Sequence, residues 1–119
     1  MTQEYVDGFL LAIPEENLDR YREMAGKAGL IWKKHGALDY RECVVDDAES
    51  EGYAKFRKAC GAREGETVVF AWIVYPDKTT RNRVNEAVMS DPALKDACPG
   101  DIFDMARMVW GGFNTLVVA

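Results

Sequence analysis

The sequence predicts an α+β fold in which two β-α-β units share one antiparallel sheet. The clearest signal is Val68–Tyr75, an unbroken apolar run rich in β-branched and aromatic residues. Such a run is typical of a strand that is buried on both faces. Pro76 ends this strand, and Asp77 is a good N-cap for the polar segment Lys78–Ser90, which we expect to be helical.

The first half of the chain has the same alternation of strand and helix. Tyr5–Ile13 is apolar at both alternating sets of positions, so we expect a second strand that is buried on both faces. Glu15–His35 is the longest predicted helix, because apolar residues recur there at steps of three and four. We expect Gly26 and Gly29 to allow a close approach between this helix and the sheet.

The remaining segments are less apolar or less regular. Leu38–Val45 alternates between polar and apolar residues and predicts a less buried strand. Ala48–Gly65 is charged, and we expect a surface excursion with a short helix at Tyr53–Ala59. Ala93–Asp101 is predicted to be a loop, and Met105–Val118 the last strand.

Two glycines in that last segment, Gly111 and Gly112, are expected to mark a bulge or bend. The element order is then strand, helix, strand, strand, helix, strand, which is the ferredoxin-like βαββαβ arrangement with a four-stranded antiparallel sheet. Right-handed crossovers place the first and third strands at the centre and the second at an edge. We expect residues 1–119 to form a single domain of this kind.

The apolar pattern also predicts an assembly. Two helices cover one face of a four-stranded sheet, yet three of the four strands are apolar on both faces. Soluble monomers rarely expose so large an apolar surface. A homodimer that packs sheet against sheet would bury it. The alternative is that the Ala48–Gly65 excursion folds back over the same face.

Composition limits the classes of partner. A net charge of −5 argues against a nucleic-acid partner and, more weakly, against anionic membranes. No apolar stretch approaches the ~20 residues that span a bilayer, and the N-terminal residues have no signal-peptide pattern, so a cytoplasmic location is expected. Cys43, Cys60 and Cys98 match no CxxC spacing, and His35 is the single histidine. We therefore expect reduced thiols, no metal site and no cofactor.

Several sequence blocks carry a family resemblance. They are YVDGF near the start, KHGALDYRECVVDD, ETVVFAWIVYP and RNRVNEAVMSDP in the middle, and FDMARMVWGGF near the end. In this order they resemble the bacterial proteins grouped as domain of unknown function 1428. The resemblance implies membership of the dimeric α+β barrel superfamily, and hence the ferredoxin-like fold and the sheet-to-sheet dimer. That superfamily includes cofactor-free monooxygenases, haem-degrading enzymes, muconolactone-isomerase-like proteins and stress-response proteins. The family itself brings no established activity.

Catalytic candidates are few. His35 titrates near neutral pH and could be a general base, although a histidine at a helix C-terminus often interacts with the helix dipole instead. Tyr40 and Arg107 are further weak catalytic candidates, and Glu42 and Asp104 complete the set available for a proton relay.

Ligand-binding candidates are mainly aromatic. Trp32, Trp72 and Phe103 could line a pocket between the sheet and the two helices, near the His35 end of the first helix, although most of them could equally be core. Arg107 would favour a small anionic organic ligand. Arg107 could alternatively form a buried ion pair with Asp7, since both interrupt apolar strands.

Three functions fit these observations. The first is a homodimer that binds a small molecule without turning it over. The second is a cofactor-independent monooxygenase- or isomerase-like enzyme. The third is a non-catalytic structural or interaction dimer.

Overall fold

Four strands form one antiparallel sheet in the computed structural model, which describes residues 3–119. The strands are β1 Tyr5–Pro14, β2 Asp39–Val44, β3 Glu66–Tyr75 and β4 Val109–Asn114. The helices are α1 Leu18–His35, α2 Glu51–Ala59, α3 Lys78–Met89 and α4 Pro92–Ala97, with 3-10 turns at Glu15–Asn17 and Met105–Arg107. Within residues 3–119, no helix is long and apolar enough to cross a membrane.

The strand order β2-β3-β1-β4 is that of a ferredoxin-like fold. The two most apolar strands, β1 and β3, pair at the centre, and the more polar β2 lies at an edge, as the sequence predicts. In the register of the central pair, Leu11 lies opposite Val69, and Leu10 lies opposite Phe70. Because directly opposed residues share a face, this register decides which side chains meet the helices.

One face of the sheet, the helix face, packs against α1 and α3. It carries alternate residues of the two central strands, and those that belong to the buried core are Leu11, Ile13, Val69, Ala71, Ile73 and Tyr75. This core also includes Tyr21, Ala25 and Ile31 of α1, and Val84 and Val88 of α3. The apolar stripe that predicts α1 is therefore the surface by which the helix packs.

The opposite face of the sheet is covered only in part. The segment that contains α2 lies over one end of it, where Cys60 packs with Ala12 and Val68. The rest of this face, which we call the open face, includes Phe70, Val109 and Phe113, whose exposed fractions are 44%, 43% and 62%. The Ala48–Gly65 segment thus folds back over one end of this face, but it leaves an apolar surface of the sheet uncovered.

The segment after α3 differs from the prediction. The sequence predicts a loop over residues 93–101, but Pro92–Ala97 forms α4, and Asp91 caps it by accepting a hydrogen bond from the Ala93 amide. Proline is tolerated in the first turn of a helix because its missing N–H has no partner there. Pro92 therefore is the first residue of α4 and lies shortly after the end of α3.

The last strand is shorter than the predicted Met105–Val118. A 3-10 turn capped by Asp104 occupies its first residues, and β4 covers only Val109–Asn114. Of the predicted bulge or bend, the bulge is wrong, because pairing with β1 runs one to one through Gly111 and Gly112. A Cβ at Gly112 would collide with the side chains of Tyr5 and Arg81, so glycine is needed there for close packing.

The expected pair of Asp7 with Arg107 is wrong as well. Asp7 is 3% exposed, and its Oδ1 accepts a hydrogen bond of 3.1 Å from Nε of Arg81 on α3. Arg107 instead binds Glu66, with 2.7 Å between Nη2 and Oε2. Asp7 and Arg107 therefore each have a partner of opposite charge, but they do not pair with each other.

Candidate functional site

A groove of about 450 Å³ lies between α1 and the edge strand β2. Its walls are largely apolar and include Leu18, Leu30, Val44 and Val69. This volume falls in the range of small-molecule sites in proteins, and the mainly apolar lining is also typical of them. The groove is on the helix side of the sheet.

Three polar side chains meet at the bottom of the groove. Tyr40 and Glu42 are two residues apart on β2, so both point toward α1, which contributes Tyr21. The Tyr40 hydroxyl donates to Oε2 of Glu42 at 2.5 Å, and the Tyr21 hydroxyl donates to Oε1. We call these three residues the Glu42 cluster.

Glycine and two aromatic rings hold the cluster in place. Gly29 of α1 lies against the ring of Tyr40, so the edge strand can approach the helix closely. Phe103 packs edge-on against Tyr21 with 5.5 Å between ring centroids, and Trp32 packs against Tyr40 at 6.0 Å. Each tyrosine ring therefore has an aromatic neighbour that limits its movement.

Burial dominates the electrostatics of the cluster. It raises the pKa of Glu42, although the two tyrosine hydroxyls favour the ionised carboxylate and oppose that shift. Burial and the charge of Glu42 raise the pKa of both tyrosines, and these same two causes raise the pKa of Cys98. At neutral pH the phenols and the thiol consequently remain protonated around the carboxyl group.

The predicted ligand-binding residues have other positions. Trp32 and Phe103 support the cluster tyrosines, and the Trp32 indole N–H donates to Asn85 at 3.2 Å. Trp72 faces away from α1 and α3, since it lies opposite Gly8 and packs against Phe70 with 5.5 Å between ring centroids. It therefore cannot form the floor of a pocket on the helix side.

His35 and Arg107 do not share a site. His35 lies at the end of α1, where its Nε2 is 2.8 Å from Oδ2 of Asp91, and this contact lowers the pKa of Asp91. Arg107 lies by Glu66, at the opposite end of β3 from the His35 side of the sheet. A ten-residue strand is about 30 Å long, so the predicted joint pocket of these two residues is wrong.

Of the catalytic candidates, Tyr40 and Glu42 lie in the groove, whereas Asp104 is an exposed cap with Arg107 as its partner. Sequence reasoning misses Tyr21, because in the sequence it is one more member of the apolar stripe of α1. The sequence feature that could have indicated Tyr21 is Glu42. It is a carboxylate among the inward-facing residues of an alternating strand, and such a carboxylate requires a hydrogen-bond donor from the facing helix. Among residues 3–119, no group of three or more His, Cys, Asp or Glu side chains is arranged to hold a metal ion.

A model of the family described as protein of unknown function (DUF1428) matches residues 4–105. The chain belongs to this family. The uncharacterised protein YbaA of Escherichia coli K12 is 44% identical over 114 residues, which cover 96% of this chain and 97% of YbaA. YbaA of Shigella flexneri matches equally well.

Among solved structures, a dimeric ferredoxin-like protein from an uncultured marine organism superposes with a TM-score of 0.52. The match covers 98% of this chain and 97% of that protein at 10% sequence identity, so it supports the ferredoxin-like fold alone. In this DUF1428 protein, the Glu42 cluster lies on the helix side of a ferredoxin-like sheet.

Proposed function

We propose that this DUF1428 protein is a cytoplasmic homodimer that binds a small organic molecule in the groove between α1 and β2. The observation that carries the binding proposal is the Glu42 cluster, a partly buried carboxyl group that lines a mainly apolar groove. A carboxyl group is costly to bury, and a purely structural core would be served as well by an apolar residue. Convergent polar groups in an apolar pocket are typical of a ligand site.

The homodimer is supported by the open face. Its exposed apolar residues on β3 and β4 form a surface that a second sheet could cover. The marine protein of the same fold is described as dimeric. Cys43, Cys60 and Cys98 are free thiols, which suits the reducing environment of the cytoplasm.

A second candidate function is a cofactor-independent monooxygenase- or isomerase-like enzyme. The raised pKa of Glu42 favours it, because a carboxylate moved toward neutral pH is a better general base. Tyr21 and Tyr40 would orient that base. The expected anionic ligand depends on Arg107, which lies outside the groove, so neither candidate requires a charged ligand.

Blocking the groove tests the binding proposal. Gly26 lines the groove, and a Cβ added there would have no atom within 4 Å, so Gly26→Leu should fill the space without disturbing the fold. Gly100 is equally open but lies away from the groove, which makes Gly100→Leu the matched control. Native mass spectrometry should then find a retained small molecule on the wild type and on the control, but not on Gly26→Leu.

Two results would contradict the binding proposal. One is a retained molecule that persists in Gly26→Leu. The other is a wild type that carries no small molecule and whose melting temperature is unchanged by every member of a library of small organic compounds. Either result would favour the third possibility, a non-catalytic structural or interaction dimer.

A further inference from the structure

The hydrogen bonds inside the Glu42 cluster determine what the cluster offers to a ligand. Tyr21 and Tyr40 each have one O–H, and both are donated to the Glu42 carboxylate. The atoms that remain free are the other lone pairs of the carboxylate and of the two phenol oxygens. The bottom of the groove is therefore a set of acceptors without a free donor among these three side chains.

The two cations that line the groove make their hydrogen bonds outside the Glu42 cluster. Lys33 lines the groove, but its Nζ donates to the Leu38 carbonyl oxygen at 2.7 Å. Arg22 also lines it and pairs with Asp19 at 2.7 Å. These two residues are eleven positions apart on α1, about 16 Å at 1.5 Å per residue, so they lie toward the two ends of the groove.

The walls between these ends are mainly apolar. Leu30 is 73% exposed and Val44 is 45% exposed, and both border the groove. Exposed apolar side chains around a buried polar group favour a ligand with an apolar body and one polar contact. An ion would lose its hydration in such a place, whereas a neutral hydroxyl would lose far less.

We propose that the groove takes a neutral alcohol or phenol with an apolar body, whose O–H donates a hydrogen bond to the Glu42 carboxylate. This inference rests on the proposed ligand-binding function and names the class of ligand. The hydroxyl satisfies the free acceptors at the bottom of the groove, and the body of the ligand contacts Leu18, Leu30 and Val44.

Two probes of the same shape test the inference in the wild-type protein. 4-Nitrophenol has the O–H donor, and 4-nitroanisole has a methyl group in place of the hydroxyl hydrogen. We expect 4-nitrophenol to bind at least about tenfold more tightly, because a hydrogen bond to a charged group is among the strong ones. At a pH where free 4-nitrophenol is half ionised, binding should decrease the phenolate absorbance, since the neutral form is the donor.

A variant pair assigns the effect to Glu42. In Glu42→Gln the preference for the phenol over the anisole should fall below about threefold, because the charged acceptor is lost. Glu86→Gln makes the same chemical change on the exposed surface of α3 and should leave the preference unchanged. If Glu42→Gln fails to fold, the comparison of the two probes in the wild type still shows whether the groove prefers a ligand with an O–H donor.

Three outcomes would overturn the inference. Equal binding of the two probes would mean that the groove holds small molecules without using a donor, which leaves the proposed function standing. An increase in phenolate absorbance, or tighter binding of 4-nitrobenzylamine than of 4-nitrophenol, would show that the ligand is an ion. If neither nitro probe binds, the inference fails, and the retained-molecule experiment with Gly26→Leu decides separately whether the groove is a ligand site.

Discussion

A Cβ atom placed on Gly29 of α1 would lie 2.7 Å from Cδ1 of Tyr40 on β2. That distance is well inside van der Waals contact, so the edge strand can approach the helix this closely only where the helix has no side chain. The hydroxyl of Tyr40 reaches Glu42 from this position. The absence of a side chain at Gly29 therefore leaves the space that Tyr40 occupies in the Glu42 cluster.

Gly29→Ala should destabilise the protein by about 1–3 kcal/mol, since overpacking of a tight contact outweighs the gain in helix propensity. Urea denaturation measures this difference. Gly26→Ala is the matched control, because Gly26 is three residues away on the same helix and a Cβ there would have no atom within 4 Å. It should stabilise the protein by up to about 1 kcal/mol. Equal effects of the two substitutions would show that Tyr40 does not pack on Gly29.

Arg81→Met should be strongly destabilising, by about 3 kcal/mol, because it leaves the buried carboxylate of Asp7 without its partner. The double variant Asp7→Asn with Arg81→Met should recover part of this loss, since the unpaired charge is gone. Arg22→Met removes an exposed ion pair and should change the free energy of unfolding by less than about 1 kcal/mol. A small effect of Arg81→Met would contradict the pairing.

Sedimentation at micromolar concentration should give about twice the 13.4 kDa chain mass, because the proposed sheet-to-sheet dimer would cover the exposed apolar residues of the open face. Phe113→Asp places a charge on that face and should yield a monomer. Met89→Asp is the control, since Met89 is similarly exposed, at 66% against 62%, but belongs to α3 on the other side of the sheet. A wild-type monomer, or dissociation by both substitutions, would contradict the sheet-to-sheet dimer.

Asp77→Ala should lower the urea midpoint at pH 7, because Oδ1 of Asp77 accepts a 2.7 Å hydrogen bond from the Thr80 amide at the start of α3. This bond lowers the pKa of Asp77 in the folded protein. A lowered folded-state pKa contributes stability above the unfolded value of about 3.9, and this contribution is lost as the pH falls through the folded-state pKa. The difference between wild type and Asp77→Ala should therefore shrink at acid pH.

Asp77→Asn separates capping from titration. Asparagine caps a helix about as well as aspartate but does not ionise, so its advantage over alanine should not depend on pH. If the advantage of Asp77→Asn over Asp77→Ala shrinks on acidification as much as that of the wild type, the acid effect does not come from the ionisation of Asp77.

The central strands and their order were predictable because burial on both faces leaves a local signal. Tyr5–Ile13 and Val68–Tyr75 are apolar on both alternating sets, and topology then places these strands at the centre of the sheet. The pairing of Asp7 was not predictable in the same way. Arg81 and Arg107 are both downstream cations, and only the packing of α3 against β1 brings one of them to the carboxylate.

The sequence alone determined most of the elements, their order and the presence of unmatched polar residues, because periodicity and capping depend on neighbours along the chain. Only the tertiary structure decided that Trp72 faces away from α1, since alternation cannot distinguish two faces when both are apolar. It also decided that Tyr21 meets Glu42. That contact depends on where α1 crosses the edge of the sheet, and this position is determined by packing between segments that are distant in the chain.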